Sequence, residues 1–347
     1  MRILLTVDPE IPVPPTNYGG IERIVDGLIT AFQKQGHEVY LVAHPNSKNK
    51  DIVKLFGWPK LHSRGVINVL KNTQYLTKIV NEIKPDIIHS FSRLLYLYPS
   101  FLFAKIPVIQ SYQREISKKS SVMASKIAGK KLSFTSCGEH MIKTHPIRHK
   151  CSAIHNFTNT NFFVPNNEVK KEILFFLGRI ENVKGTKEAI EVALMTQEKL
   201  VIAGNISSGF EDYFESSIKP FLDHPLISYV GPINDDKKLR FFQKSKAFLF
   251  PIKWEEPFGI VMAEALSCGV PVIGFNRGSV PEVVKSEVNG FIVEDVKGMA
   301  DAVNRLNEIN LETVRMDAVQ RFSVESISLE YIRLYEQKLH GSTKVNG

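Results

Sequence analysis

The chain has 347 residues, 43% of them hydrophobic and 23% charged, a balance that fits two medium-sized soluble domains rather than a disordered or fibrous chain. The longest apolar stretch, Leu94 to Ile109, is broken by Pro99, Lys105 and Pro107 and falls short of the roughly 18 uninterrupted residues that a membrane-spanning helix needs. The formal net charge of +8 is uneven: residues 1–165 hold 22 Lys/Arg against 10 Asp/Glu, or +12, and the remainder holds 22 against 26, or −4.

In chain order, Arg2–Val7 reads as a buried strand. Met1–Leu5 runs straight into it, so no signal peptide is expected. Gly20–Gln35 reads as a helix, with Ile21, Ile24, Val25, Leu28, Ile29 and Phe32 at helical spacing and Gly36 as the stop. Glu38–Ala43, Asp86–His89, Pro107–Gln110 and Leu132–Thr135 are further strands. A polar stretch, Asn159–Lys171, marks a domain boundary, set at 165/166. A second series follows with strands at Ile173–Leu177, Leu200–Ala203, Ile227–Val230, Ala247–Pro251 and Val270–Gly274, and helices between them. The expected domains are 1–165, 166–322 and a terminal segment 323–347 that opens with a helix. Alternating strands and helices predict parallel α/β layers, and ligand sites at the strand ends.

Three stretches carry chemistry. The first runs from Pro251 through Trp254-Glu255-Glu256-Pro257-Phe258-Gly259-Ile260 to Glu264 and Gly269. Pro257 reads as the first helical position, so the N–H groups of Phe258, Gly259 and Ile260 would face an anion such as a phosphate. Glu256 and Glu264 are eight apart, about two helical turns, which places them on one side. Carboxylates beside an anion site suit a hydroxyl-rich sugar or ribose. The alternative is a solvated pair on an exposed helix face. The second stretch, Gly178-Arg179…Lys184-Gly185, puts two cations in a strand-to-helix loop. They suit a diphosphate or, alternatively, an ordinary charged surface. The third, Asn17-Tyr18-Gly19-Gly20-Ile21-Glu22, opens the first helix with two glycines, which either admit a phosphate or simply make a tight turn. There is no GxGxxG, no Walker A loop, no Asp-x-Asp and no HExxH, so neither a nicotinamide cofactor nor a metal is expected.

Together these stretches resemble the retaining GT-B glycosyltransferases of family 4 (glycosyl transferases group 1). Glu256…Glu264 matches the E-x7-E motif of that family, and Gly178-Arg179…Lys184-Gly185 its donor-phosphate loop. Tyr18-Gly19-Gly20-Ile21-Glu22 matches its N-terminal glycine loop, and Gly278–Val284 with Asn289-Gly290-Phe291 the segment after the motif. The resemblance implies two Rossmann-like domains facing each other across a cleft, with the terminal helix returning to the N-terminal domain. It implies a nucleotide-diphosphate sugar as donor substrate, no other cofactor, and transfer of a hexose-type sugar with retention. By that resemblance Glu256 meets the transferred sugar and Glu264 the ribose. Arg179, Lys184 and the backbone at Phe258, Gly259 and Ile260 hold the diphosphate, and Gly19 and Gly20 border it. His89 matches a histidine position of the family and either acts on the sugar or packs. Gln113 stands where many members carry another histidine. A non-catalytic nucleotide-sugar-binding protein and a GT-B epimerase or phosphorylase are the competing functions.

The basic N-terminal part calls for an anionic partner. Arg114, Lys118, Lys119, Lys126, Lys130 and Lys131, with Met123 and Ile127 among them, suggest a helix that rests on an anionic membrane beside a glycan or lipid-linked acceptor, or else a solvated face. No nucleic-acid motif accompanies the charge. Cys137, Cys151 and Cys268 form no CxxC. We expect reduced thiols and a cytoplasmic protein, peripheral at the inner face of the membrane.

Overall fold

The computed structural model describes residues 1–16 and 19–343. The chain divides into two compact units, Met1–Asn156 with the segment from Val324 onward, and Phe157–Ser323. The first boundary thus falls at 156/157, ahead of the expected 165/166. The reason is local. Thr158 N donates to Phe322 O at 2.9 Å, and the Arg315 guanidinium donates to the carbonyls of Thr160 and Phe163. These bonds tie residues 158–163 to the second unit.

Among the described residues, the first unit holds a seven-stranded parallel sheet. Its strands are β1 (Arg2–Thr6), β2 (Glu38–Ala43), β3 (Lys54–Gly57), β4 (Ile87–Ser90), β5 (Val108–Tyr112), β6 (Leu132–Ser136) and β7 (Cys151–Ala153), in the order β3-β2-β1-β4-β5-β6-β7. Helices α1 (Gly20–Lys34), α2 (Val66–Ile83), α3 (Tyr98–Phe103) and α4 (Lys118–Ala128) fill the crossovers. In α1 the buried stripe is Ile24, Val25, Leu28, Ile29 and Phe32, the spacing that the sequence shows. Gly36 adopts φ +80 just past its end, the left-handed stop that glycine permits.

The second unit holds a six-stranded parallel sheet of β8 (Ile173–Leu177), β9 (Lys199–Ala203), β10 (Ile227–Tyr229), β11 (Ser245–Phe250), β12 (Val272–Phe275) and β13 (Gly290–Val293), in the order β10-β9-β8-β11-β12-β13. Its helices are α5 (Thr186–Thr196), α6 (Glu211–Ser217), α7 (Asp235–Lys244), α8 (Ile260–Ser267), α9 (Val280–Val283), α10 (Val296–Asn304) and α11 (Leu311–Phe322). Both orders reverse direction beside the first strand of the unit, the Rossmann-like pattern that gathers ligand sites at the carboxyl ends there. The strands that sequence patterning missed, β3, β7 and β13, are all sheet edges of three or four residues.

The last helix, α12 (Val324–Thr343), belongs to the first unit. It buries Ile327, Tyr331 and Tyr335, and Gln35 Nε2 donates to Ser328 Oγ at 2.8 Å. A buried hydrogen-bond chain fixes it: the Tyr335 hydroxyl meets His89 Nδ1, His89 Nε2 meets Ser111 Oγ at 2.6 Å, and Ser111 Oγ meets Thr135 Oγ1. Four elements, α12, β4, β5 and β6, share this chain. Breaking a buried bond strands its partner, at a cost of about 1–3 kcal/mol. Tyr335→Phe should therefore lower the calorimetric melting temperature by several degrees. An unchanged melting temperature would show that the chain contributes nothing to stability.

Candidate functional site

Three loops at the carboxyl edge of the second unit converge. They follow β8 (Gly178–Gly185), β11 (Pro251–Gly259) and β12 (Asn276–Ser279). Lys253 N donates to Val183 O at 2.8 Å and Ser279 N to Glu256 O at 3.0 Å. Gly278 N donates to Glu255 Oε2 at 3.0 Å, and Ser279 Oγ to Phe258 O at 2.7 Å. Two glycines make this possible. Gly185 sits at φ +81, and a Cβ there would lie 2.0 Å from Pro251 O; Gly278 sits at φ +53, and a Cβ would lie 2.4 Å from Glu256 N. Any side chain would push the loops apart.

The helix start differs from the expectation. Gly259 is the cap of α8, in the left-handed region at φ +70, and Ile260 is the first helical residue. Pro257 is therefore not the first helical position. Glu256 lies in the loop and only Glu264 on the helix, so their eight-residue spacing is not two helical turns. The contacts of Ser279 hold the segment out of helical register. Gly259 and Ile260 remain at the mouth of α8, where the first N–H groups of a helix lack intrahelical partners. Phe258 is buried, its ring 5.7 Å from that of Phe322.

The loops bring Lys184 and Glu256 together. Lys184 Nζ lies 2.6 Å from Glu256 Oε2, with the two side chains only 14% and 15% exposed. Trp254 Nε1 donates to the same oxygen at 3.0 Å, and its ring lies under Lys184 Nζ at 4.7 Å. Arg179 stands apart from this pair: its Nη1 lies 2.9 Å from Glu181 Oε1, which also accepts from Ser207 Oγ at 2.7 Å. Glu264 is buried, and both its oxygens accept from Lys238 Nζ, at 2.7 and 2.8 Å. Burial pulls the Lys238 amine down, but Glu264 and Asp235 outweigh it and raise its pKa. Sequence reading missed Lys238. It sits on α7, 26 residues from Glu264, and no motif links the two.

In the first unit, Asn17 and Tyr18 lie outside the described residues. A Cβ on Gly19 would meet Pro15 Cβ at 2.6 Å, so close packing requires a glycine there. A Cβ on Gly20 would meet nothing within 4 Å. Open space thus lies over the start of α1. Gln113 follows β5 and is half-buried. His89 lies on β4. Its ring is fully buried, both nitrogens are engaged, and burial lowers its pKa to about 3. That placement keeps the ring neutral and fits the packing role of the two open to it.

A different acid marks the switch point of this sheet. Asp8, just past β1, accepts from Arg93 N at 2.9 Å. Burial raises its pKa to about 6; the Arg93 bond opposes this, Glu10 adds to it, and the charges of Arg93 and Arg114 oppose it. Glu22 on α1 is also raised by burial, with Asp8 and Glu10 contributing. Buried acids gathered at such an edge are a signature of functional sites. The available sequence signal was Glu22, a carboxylate in the first turn of α1 among its buried residues. Between the ordinary 3.8 and about 6, native Asp8 holds a proton that the unfolded chain has released. Its stabilising contribution is present at low pH and is lost as pH rises through that window. Asp8→Asn should raise the melting temperature by a few degrees at pH 7.5 and barely change it at pH 4. Equal effects at both pH values would refute the shift.

Among the described residues, no group of three or more His, Cys, Asp or Glu side chains is placed to hold a metal ion. Cys137, Cys151 and Cys268 form no disulfide.

Two family models match the chain: Glycosyl transferases group 1 over residues 157–320 and Glycosyltransferase Family 4 over residues 18–128. The first match lies within the second structural unit and the second within the first. An uncharacterized glycosyltransferase of Methanocaldococcus jannaschii is 28% identical over 48% of this chain and 45% of its own length, so that match spans less than half of the relative. An uncharacterized 42.6 kDa protein in the cps region of Klebsiella pneumoniae is 22% identical over 93% of this chain and 97% of its own. The Anabaena protein HepE, solved in complex with UDP, superposes with a TM-score of 0.76 at 16% identity, covering 97% of this chain and 100% of that one; it has also been solved in complex with UDP-glucose. At that identity the likeness speaks for the fold. With two parallel Rossmann-like sheets and both family models in place, the chain is a GT-B glycosyltransferase whose two units match the Glycosyltransferase Family 4 and Glycosyl transferases group 1 models.

Proposed function

We propose that this glycosyltransferase takes its sugar from a nucleoside-diphosphate sugar and passes it, with retention of configuration, to a glycan or lipid-linked acceptor. The observation that carries the reading is the Lys184–Glu256 pair beside the mouth of α8. A poorly hydrated cation next to unpaired helix N–H groups suits a diphosphate. A carboxylate held by that cation and by Trp254 suits sugar hydroxyls. The complexes of HepE with UDP and UDP-glucose favour a donor of this class.

Lys184, Arg179 and the backbone at Phe258, Gly259 and Ile260 bind the diphosphate in this reading. Glu264 takes the ribose hydroxyls on lone pairs left free by Lys238, which acts as a positioning residue. In the transfer, the bond from the anomeric carbon to the phosphate oxygen breaks. The acceptor oxygen bonds to the same face, and its proton passes to the leaving phosphate. Lys184 and Arg179 offset the charge that builds on that group, the effect that dominates such reactions.

Two measurements test this. In a thermal-shift panel of UDP-, GDP-, ADP- and TDP-sugars, one nucleotide class should raise the midpoint of the wild type and fail to raise that of Glu264→Ala. No shift with any class removes the donor assignment. With the matching donor, Lys184→Ala should lower kcat by a factor on the order of 10²–10³. A product of inverted anomeric configuration, read by NMR, would overturn retention. Release of free epimer or sugar phosphate would replace transfer altogether.

A further inference from the structure

In the first unit, α2, α3 and α4 pack in a row with α3 in the middle. Their inward residues, such as Leu76, Phe101, Ala124 and Ala128, join one core. The outward side of α3 and α4 carries exposed apolar residues. Leu102 and Phe103, at the end of α3, are 59% and 84% exposed; Met123 and Ile127, one turn apart on α4, are 50% and 41% exposed. The Lys131 ammonium joins the two helix ends by donating to the carbonyls of Phe101 and Ala104, so the apolar side chains stand on neighbouring elements. Exposed Lys118, Lys119 and Lys126 lie on α4 itself, Lys105 just past α3 and Lys130 just past α4. From Arg64 to Lys131 the chain holds 12 Lys/Arg against 3 Asp/Glu, and α4 has no acid.

Single exposed apolar residues are ordinary. Four of them on two packed elements that also carry exposed lysines call for a partner. Nucleic acid would use the lysines but leave Phe103 and Leu102 in water. A second copy of this chain would set two cationic faces against each other. An anionic bilayer satisfies both halves: headgroup phosphates meet the lysines, and the acyl boundary takes the apolar tips. Among the described residues, no helix is long and apolar enough to cross a membrane, so the contact is peripheral.

We propose that the α3–α4 face docks the protein on the surface of an anionic lipid bilayer. Docking needs no sugar donor and stands apart from the reaction proposed above.

Co-sedimentation of the full chain with vesicles tests it. Phosphatidylcholine vesicles containing phosphatidylglycerol should bind the protein about tenfold or more above pure phosphatidylcholine at low salt, and high salt should weaken the binding. Leu102→Ser with Phe103→Ser, which leaves the charge unchanged, should lower binding by about tenfold. Lys118→Glu, Lys119→Glu and Lys126→Glu together should bring it to the level of the neutral vesicles. Unchanged melting temperatures certify the folded state. If the double variant unfolds, Phe103→Ser alone serves, because that side chain is almost wholly in solvent. No binding to anionic vesicles at low salt overturns the proposal. So does binding that ignores the serine variants, or a dimer on size exclusion that Phe103→Ser disperses.

Discussion

Every strand pair in both sheets is parallel, and that constraint governs the rest of the molecule. A parallel strand must be re-entered from the same end, so each connection crosses the sheet and most carry a helix. The crossover helices bury their apolar stripes against the strands. The loops at the carboxyl ends are left free to carry charge. Lys184 and Glu256 come from different loops 72 residues apart, and they meet because β8 and β11 are neighbours at the point where strand order reverses.

The charges gathered at the candidate site of the second unit are held in pairs. Lys184 binds Glu256, Lys238 binds Glu264, and Arg179 binds Glu181. Largely buried charges need such partners, because desolvation without compensation is costly. The pairing also sets geometry. A carboxylate clamped by an ammonium presents its remaining lone pairs in a defined direction, a form of preorganisation useful for reading hydroxyl groups.

The first unit shows two buried titratable groups with opposite fates. His89 is neutral, with both ring nitrogens engaged, and it serves as a joint between α12 and the sheet. Asp8 stays acidic in a site that resists its charge. The fold would be more stable without such a carboxylate at neutral pH, whereas it depends on His89.

Most of the architecture was legible in the one-dimensional pattern. Strands with apolar runs, such as Ile173–Leu177, and α1 with its five-residue buried stripe follow from hydrophobic periodicity, which reports burial directly. Edge strands such as Cys151–Ala153 pair on one side only, so their patterns are weak. The residue types of the candidate site were also legible: Arg179, Lys184, Glu256 and Glu264 are unusual beside glycine-rich turns. Their partners were not. That Gly259 rather than Pro257 begins α8, that Glu256 is in a loop, that Lys238 clamps Glu264 and that His89 is sealed behind Tyr335 all depend on contacts between residues distant in sequence. The sequence by itself determined which segments bury and which residue types carry charge, because those are properties of single side chains and short spacings. Only the tertiary structure decided which charges meet and which polar groups lose their water, because desolvation and ion pairing are set by neighbours that the chain brings together after folding.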